Sequence, residues 1–248
     1  MSGESSGEAV VSFSRLVVLT GADPDLLIMH SFFRELDDFA SNLDIEVVWR
    51  IIDGLKAYPS SFSGFDFAAN SVRVEWNSPY AALSHAEAIA YGFFLSQAEF
   101  VVMMSPDMVG NIKDIPKFIL EIKNGAPVVA AWRKKRNGVS ILRVALTKVF
   151  NGFAKTVFGL SVHDVNTSMA LVSPAAISFF LNVSDDCPSP ALHTARTLKR
   201  EIREVPITVD EFPGKTSVYS SGMRIRVGIK RVKEIFLYYL WSFCRRDD

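Results

Sequence analysis

The chain has 248 residues, 49% of them hydrophobic, and its 27 Lys and Arg balance its 27 Asp and Glu. This length suits one large α/β domain or two small ones. No apolar run reaches the ~18 residues of a membrane span, and a net charge of zero provides no overall field that would attract nucleic acid. Neither Cys187 nor Cys244 has metal-ligand spacing, and a disulfide framework is not expected. We therefore expect a cytoplasmic protein without a nucleic-acid partner.

The first segment of the chain, residues 1–12, is predicted to be a disordered tail. It begins with the small, polar and acidic sequence MSGESSGE. A signal peptide would instead have a basic start followed by an apolar core. The ordered part of the chain is therefore expected to begin near residue 13.

Apolar runs and helical periodicities alternate along the rest of the chain. Strands or extended segments are predicted at residues 15–20, 45–52, 72–76, 99–104, 127–132, 162–172 and 204–209. Helices are predicted at residues 26–43, 81–95, 113–124, 141–158, 174–181 and 223–244. This alternation favours an α/β fold whose sheet is mainly parallel.

Aspartates follow three of the early strands, at Asp23, Asp53 and Asp107. In open α/β sheets, ligands bind beyond the carboxyl ends of the strands, so these acids could meet a nucleotide phosphate or its metal ion. The alternative is purely structural, because Asp and Ser commonly cap helices and form turns. Asp23 before Pro24 is a candidate cap of this kind, and so is the Ser-Pro-Asp sequence that begins at Ser105. Both interpretations stay open for each position.

Several segments, taken in order, resemble family 2 glycosyltransferases with the GT-A fold, most closely the polyprenyl- or dolichyl-phosphate sugar transferases. The resemblance covers roughly residues 15–220. Its strongest part is AEAIAYG at residues 86–92 followed by Ser105-Pro-Asp107, which looks like the small-residue helix and Asp-x-Asp motif of that family. The other matching segments are DIPKFI at 114–119, VVAAWR at 128–133, GLSVHD at 159–164 with NTS at 166–168, EVPI at 204–207 and PGKTS at 213–217.

The resemblance implies a GT-A domain over residues 13–220 that transfers a sugar from a nucleotide-sugar donor. It implies donor contacts by Asp23, Asp53 and Ser105, and Mg²⁺ or Mn²⁺ held by Asp107, since both ions prefer oxygen ligands. Asp164 would be the acid near the acceptor and a candidate general base, which His163 could orient. Arg133 and Lys215 would face phosphate groups, including that of a lipid-phosphate acceptor.

Several positions differ from the pattern of that family, three of them at places where the family binds metal or phosphate. Ser105 stands where the first acid of Asp-x-Asp is expected, Val109 where a polar metal ligand is expected, and Phe212 where lipid-phosphate relatives carry an arginine. A single carboxylate with a hydroxyl is a poor divalent site. Three explanations of these differences stay open. The protein could transfer sugar without a metal, it could use a different donor, or it could be a catalytically silent protein that binds nucleotide or a protein partner. A nucleotide-binding protein of another family is disfavoured, because no Gly-rich phosphate loop follows the first strand.

The C-terminal segment, residues 221–248, is predicted to form an amphipathic helix. Its apolar positions recur at helical spacing, and basic residues lie on both sides of the aromatic stretch IFLYYLWSF at 235–243. This pattern suits a helix lying in a membrane interface, which would make the protein peripheral on the cytoplasmic membrane face. A helix packed on the sheet or on a second subunit fits equally well, so a homo-oligomer stays open.

Overall fold

The computed structural model describes residues 13–23, 25–54, 71–83, 85–138, 141–158, 162–165, 167, 169–178 and 202–210. The predicted tail at 1–12, Lys215 and the predicted C-terminal helix lie outside the described residues. The strands are β1 (Arg15–Gly21), β2 (Glu46–Ile52), β3 (Val72–Asn77), β4 (Phe100–Met104), β5 (Val128–Asn137), β6 (Met169–Val172) and β7 (Ile202–Asp210). The helices are α1 (Leu26–Ser41), α2 (His85–Phe94), α3 (Ile115–Lys123) and α4 (Ile141–Phe158), with 3-10 segments at Pro106–Asp114 and Pro174–Ala176.

The strands of the described chain form one seven-stranded sheet in the order β3-β2-β1-β4-β6-β5-β7. Strand β6 pairs antiparallel with β4 and with β5, whereas β1, β2, β3 and β4 pair in parallel, as do β5 and β7. All strands except β6 therefore direct their carboxyl ends to the same edge. The predicted α/β fold with a mainly parallel sheet is confirmed.

Both faces of the sheet are covered, which explains why the central strands are apolar without alternation. On one face, α1, the first 3-10 segment and α3 pack over side chains that include Trp49, Phe32 and Phe118. On the other face, α2 packs over a smaller cluster that includes Leu19 and Phe93. The helical layers cover both faces of the sheet, and loops lie at its carboxyl edge.

Some element boundaries differ from the sequence-based prediction. The cap of α1 is Asp25, whose carboxylate accepts a hydrogen bond from the Leu27 amide at 3.0 Å, so the prediction of Asp23 was wrong. Asp23 supports that turn instead by accepting from the amide of Asp25 at 3.0 Å. The fifth strand was predicted to end at residue 132, but the basic run 133–136 continues β5, because β7 pairs with that strand as far as Asn137.

The packing of α2 on β1 depends on Gly92. A Cβ atom added there would overlap both methyl carbons of the buried Leu19. We expect Gly92→Ala to lower the free energy of unfolding by about 1–3 kcal/mol, since overpacking a rigid core exceeds the gain in helix propensity. Gly152→Ala is the matched control, because its Cβ would meet no atom within 4 Å, and it should raise stability by up to about 1 kcal/mol. Urea denaturation should show that the two substitutions change the free energy of unfolding in opposite directions.

An ion-pair network covers the side of the sheet where α2 ends. Arg50 of β2 is 6% exposed and donates to Glu75 Oε2 from Nε at 2.9 Å and from Nη2 at 2.7 Å. Its Nη1 donates to Glu99 Oε2 and to the Leu95 carbonyl, both at 3.0 Å, and also to the Ser96 hydroxyl. One arginine thereby joins two strands to the last turn of α2.

Candidate functional site

The order of the strands reverses between β1 and β4, which are adjacent in the sheet but distant in sequence. In open α/β sheets the crevice beyond such a point binds ligands. Asp53 follows β2 directly, and Ser105 and Asp107 follow β4. The structure thus places these three residues at the carboxyl ends of strands that flank β1; we call this set the Asp53 edge. Asp23 lies two residues after β1, in the same region.

Asp53 is the most unusual member of the Asp53 edge. It is 1% exposed, and its amide donates to the Asn77 carbonyl at 2.9 Å, which fixes the end of β2 against β3. Its carboxylate oxygen Oδ1 is buried and has no hydrogen-bond partner among the described residues. A buried acceptor without a donor is costly and is seldom found without a functional reason. A ligand N–H or O–H would satisfy it.

Ser105 and Asp107 occupy the start of the 3-10 segment Pro106–Asp114. The Ser105 carbonyl accepts from the Met108 amide at 2.9 Å, whereas its hydroxyl makes no capping hydrogen bond. Asp107 lies in the first turn, where a carboxylate interacts favourably with the amide groups of a helix start. The structural and the ligand-binding interpretations of these residues are therefore compatible.

The side chains around this edge do not fit a divalent cation. Across the described residues, no group of three or more His, Cys, Asp and Glu side chains could hold a metal ion. Asp107 supplies one carboxylate and Ser105 one hydroxyl, whereas Mg²⁺ and Mn²⁺ favour sites rich in carboxylates.

A second polar group lies at the same edge of the sheet, around Asp164. Both carboxylate oxygens of Asp164 accept from Arg133 of β5, at 2.6 Å from Nε and 2.8 Å from Nη2. Arg136 Nη2 lies 3.4 Å from Oδ2, and Asn151 of α4 donates from Nδ2 to Oδ1 at 3.5 Å. We call these four residues the Asp164 cluster. The structure therefore brings together the predicted Arg133 and Asp164.

The Asp164 cluster holds its carboxylate in the ionised form. Burial opposes ionisation of Asp164, but the bidentate hydrogen bond and charge of Arg133, with the charge of Arg136, outweigh it and hold the pKa below the ordinary value. A carboxylate with a lowered pKa and two engaged oxygens is a weak proton acceptor. In this arrangement Asp164 orients and partly neutralises two guanidinium groups, and its role as a general base stays a prediction.

Glu204 of β7 anchors the loop that carries Asp164, a function that sequence reasoning missed. Its carboxylate accepts from the His163 amide at 2.8 and 2.7 Å and from the Asp164 amide at 3.0 Å. His163 Nδ1 also lies 2.8 Å from Oε2 of Glu204, and the His163 ring stacks on Trp132 at 4.3 Å. The signal available in the sequence was a charged residue at the start of a predicted strand, which indicated no partner for it.

Asn151 was also missed, because an asparagine within a long helix gives no distinct signal. It is 9% exposed, and Nδ2 donates to the His163 carbonyl at 3.1 Å as well as to Asp164. Its Oδ1 is buried without a hydrogen-bond partner in the part of the chain that the structure describes. Each of the two polar groups at the carboxyl edge thus contains one buried acceptor that a ligand donor would satisfy.

No protein-family model matches the sequence, and no curated protein does. Solved structures do resemble it. Glucosyl-3-phosphoglycerate synthase from Mycobacterium tuberculosis, in complex with Mn²⁺, UDP-glucose and glycerol 3-phosphate, aligns with a TM-score of 0.62 at 11% identity, covering 91% of this chain and 80% of that one. Its complex with Mn²⁺, UDP and phosphoglyceric acid gives 0.62 at 12% identity, covering 91% and 78%. A mycobacterial protein gives 0.58 at 13% identity, covering 85% and 71%.

Likeness at these identities concerns the fold alone. The alignment with the synthase covers 91% of this chain, whose described strands form a mainly parallel sheet with an antiparallel sixth strand. The chain therefore has the GT-A fold that the order of its sequence motifs predicts.

Proposed function

We propose that this protein is a glycosyltransferase that moves a sugar from a nucleotide-sugar donor to an acceptor. The observation that carries the proposal is the buried, unpartnered Oδ1 of Asp53, one strand away from the reversal in strand order. A nucleoside offers the donors that this oxygen lacks, from a base N–H or a ribose hydroxyl. The GT-A fold and the UDP-glucose bound by the similar synthase support the same assignment.

In this proposal the donor lies along the Asp53 edge and the acceptor near the Asp164 cluster. Asp23 and Ser105 would contact the nucleotide, as the resemblance implies. The departing diphosphate gains negative charge, which fixed cations must stabilise where the described residues offer no metal site. Arg133 is the candidate within the described residues, and Lys215 is the candidate outside them.

The acceptor we propose carries a phosphate, and a polyprenyl phosphate at the cytoplasmic membrane face is our specific expectation. The guanidinium groups of Arg133 and Arg136 converge on the Asp164 carboxylate. Arginine binds phosphate oxygens well. A phosphate is already ionised, so transfer to it needs little help from a base. This fits the lowered pKa of Asp164. The acceptors bound by the similar synthase, glycerol 3-phosphate and phosphoglyceric acid, also carry phosphate.

A catalytically silent protein that binds nucleotide or a protein partner is the second candidate. Ser105 in place of an acid favours it, together with the lack of a three-ligand metal group among the residues described. The transferase predicts nucleotide binding at the Asp53 edge, and so does the silent protein if its ligand is a nucleotide rather than a protein partner. Only the first predicts turnover of a bound nucleotide-sugar.

Calorimetric titration with UDP, GDP and dTDP tests whether the protein binds a nucleoside diphosphate at the Asp53 edge. We expect one of them to bind, with an affinity that Mn²⁺ changes little, and we expect Asp53→Ala to weaken binding about 10- to 100-fold, the effect of losing a hydrogen bond to a charged group. Asp38→Ala, at an exposed position on α1, is the control and should bind normally. Circular dichroism verifies that each variant is folded.

Release of nucleoside diphosphate from the matching nucleotide-sugar, with polyprenyl phosphate present, then separates the two candidates. Acceptor-dependent release supports the transferase. Nucleotide binding without release, across acceptors with and without phosphate, supports the silent protein. Failure of all nucleotides to bind would contradict the transferase and would leave the silent protein that binds a protein partner.

A further inference from the structure

The outer face of α4 is apolar and exposed. Ile141 is 89% exposed, Val149 70%, Leu146 58% and Phe153 37%. At about 100° per residue, Ala145 and Gly152 lie on the same side of the helix. Within the described chain, nothing covers this face.

The inner side of α4 carries two polar side chains, Thr147 and Asn151, beside the half-buried Val144 and Phe150. Arg136 Nη1 donates to the Thr147 hydroxyl at 3.3 Å, and Asn151 donates to Asp164 and to the His163 carbonyl. A helix at the surface of a globular protein normally turns its apolar side to the core and its polar side to water. The helix α4 instead directs Thr147 and Asn151 at the Asp164 cluster and leaves several large apolar side chains exposed on its outer face.

The charge of α4 is entirely basic. The helix contains Arg143, Lys148 and Lys155 and has no Asp or Glu. At about 100° per residue, Lys148 and Lys155 lie along one border of the apolar face. Strand β5, which precedes α4, ends in the basic run 133–136. An apolar face bordered by lysines is the pattern of a helix that lies in the interface of an anionic membrane.

We propose that the outer face of α4 binds the surface of a lipid bilayer that contains anionic lipids. Charge complementarity selects this occupant. A second copy of the chain would bring two wholly basic helices together, and like charges in contact are destabilising. The C-terminal residues 211–248 carry eight Lys and Arg against four Asp and Glu, so they complement α4 poorly too. An anionic lipid surface complements both the lysines and the apolar side chains.

This placement would bring the bilayer close to the Asp164 cluster. Asn151 and the exposed Val149 lie two residues apart on α4, one contacting Asp164 and the other facing outward. The headgroup of a membrane-embedded acceptor could then reach the cluster without leaving the bilayer. This link to an acceptor rests on the proposed function, whereas binding of α4 to lipid does not.

Vesicle flotation with the full-length protein, in the absence of nucleotide, tests the inference. We expect binding to vesicles of phosphatidylcholine mixed with phosphatidylserine, and weaker binding to phosphatidylcholine alone. Leu146→Asp should weaken binding about tenfold and Leu146→Asp with Val149→Asp further, because each places a negative charge in the apolar contact. Leu120→Asp on α3 is the matched control, since Leu120 and Leu146 are both 58% exposed, and it should bind like the unmodified protein.

Light scattering of the same proteins in solution completes the test. Absence of vesicle binding overturns the proposal, and so does equal weakening by Leu120→Asp and Leu146→Asp. A dimer that Leu146→Asp converts to a monomer, with no lipid binding by either, would assign the face to a second copy and overturn the proposal as well. Urea denaturation verifies that the substitutions, which are all at exposed positions, leave the fold intact. Because nucleotide is absent, failure here leaves the calorimetric test of the donor site unaffected.

Discussion

Asp164→Asn is expected to lower the free energy of unfolding by about 3–5 kcal/mol at neutral pH, as measured by urea denaturation. The substitution keeps the size of the side chain but removes the negative charge that balances two largely buried guanidinium groups. The side chains of Arg133 and Arg136 are 16% and 12% exposed, and that of Asp164 is 2% exposed. Removing one partner of a buried ion pair leaves charge that water cannot screen.

The pH dependence of this effect follows from the lowered pKa of Asp164. Because the pKa is lower in the folded protein than the ordinary value of 3.8, ionised Asp164 stabilises the fold fully above that ordinary value. The contribution is lost as the pH falls from there through the folded pKa. The difference between unmodified protein and Asp164→Asn should therefore be constant between pH 7 and pH 5 and should shrink below about pH 4.

Glu46→Gln provides the matched control for this prediction. Glu46 forms the same kind of bidentate pair, with Arg15 at 2.8 and 2.9 Å, but its side chain is 44% exposed. Exposed pairs are screened by water and contribute little. Equal effects of Asp164→Asn and Glu46→Gln on stability would show that the Asp164 cluster is not held as the structure describes.

Arg50→Met is the second substitution with a large expected effect, again about 3–5 kcal/mol in the free energy of unfolding. Methionine fills much of the space but leaves Glu75 and Glu99 without the guanidinium that bridges them, and it removes a donor to the Leu95 carbonyl. Loss of the shared cation from a buried network costs more than a single surface pair. The last turn of α2 should also exchange its amide hydrogens faster.

Arg73→Met is the control in the same network. Arg73 interacts with Glu75 and lies 3.3 Å from Glu46, but its side chain is 53% exposed. We expect its replacement to change stability by about 1 kcal/mol or less. An Arg50→Met protein as stable as Arg73→Met would contradict the bridging role of Arg50.

The sequence was sufficient to predict the elements and the class of the sheet, because these depend on local patterns. The buried strand β4 is a continuous apolar run that ends at Met104, directly before Ser105. The helix α4 has the predicted bounds. The extent of β5 could not be predicted in the same way. Its basic second half is a strand because β7 pairs with it, and no pattern within the run itself indicates that partner.

The site was predictable in its residue types but not in its contacts. Asp53 and Asp107 were expected at the carboxyl ends of strands, and the family resemblance implied Arg133 near phosphate and Asp164 near the acceptor. That Arg133 binds both oxygens of Asp164, and that Glu204 supports the Asp164 loop, depends on residues 31 to 41 positions apart. The exposed apolar face of α4 was missed for a related reason. Helical periodicity identifies an apolar face but does not say whether that face turns inward.

A crystal structure of the protein soaked with the nucleoside diphosphate that binds most tightly tests the central claim most directly. We expect the nucleotide to bind beyond the carboxyl ends of β1 and β4, with a base N–H or a ribose hydroxyl about 2.7–3.1 Å from Oδ1 of Asp53. A nucleotide bound elsewhere, or an Asp53 whose Oδ1 is paired with a protein group while the crevice stays empty, would contradict it.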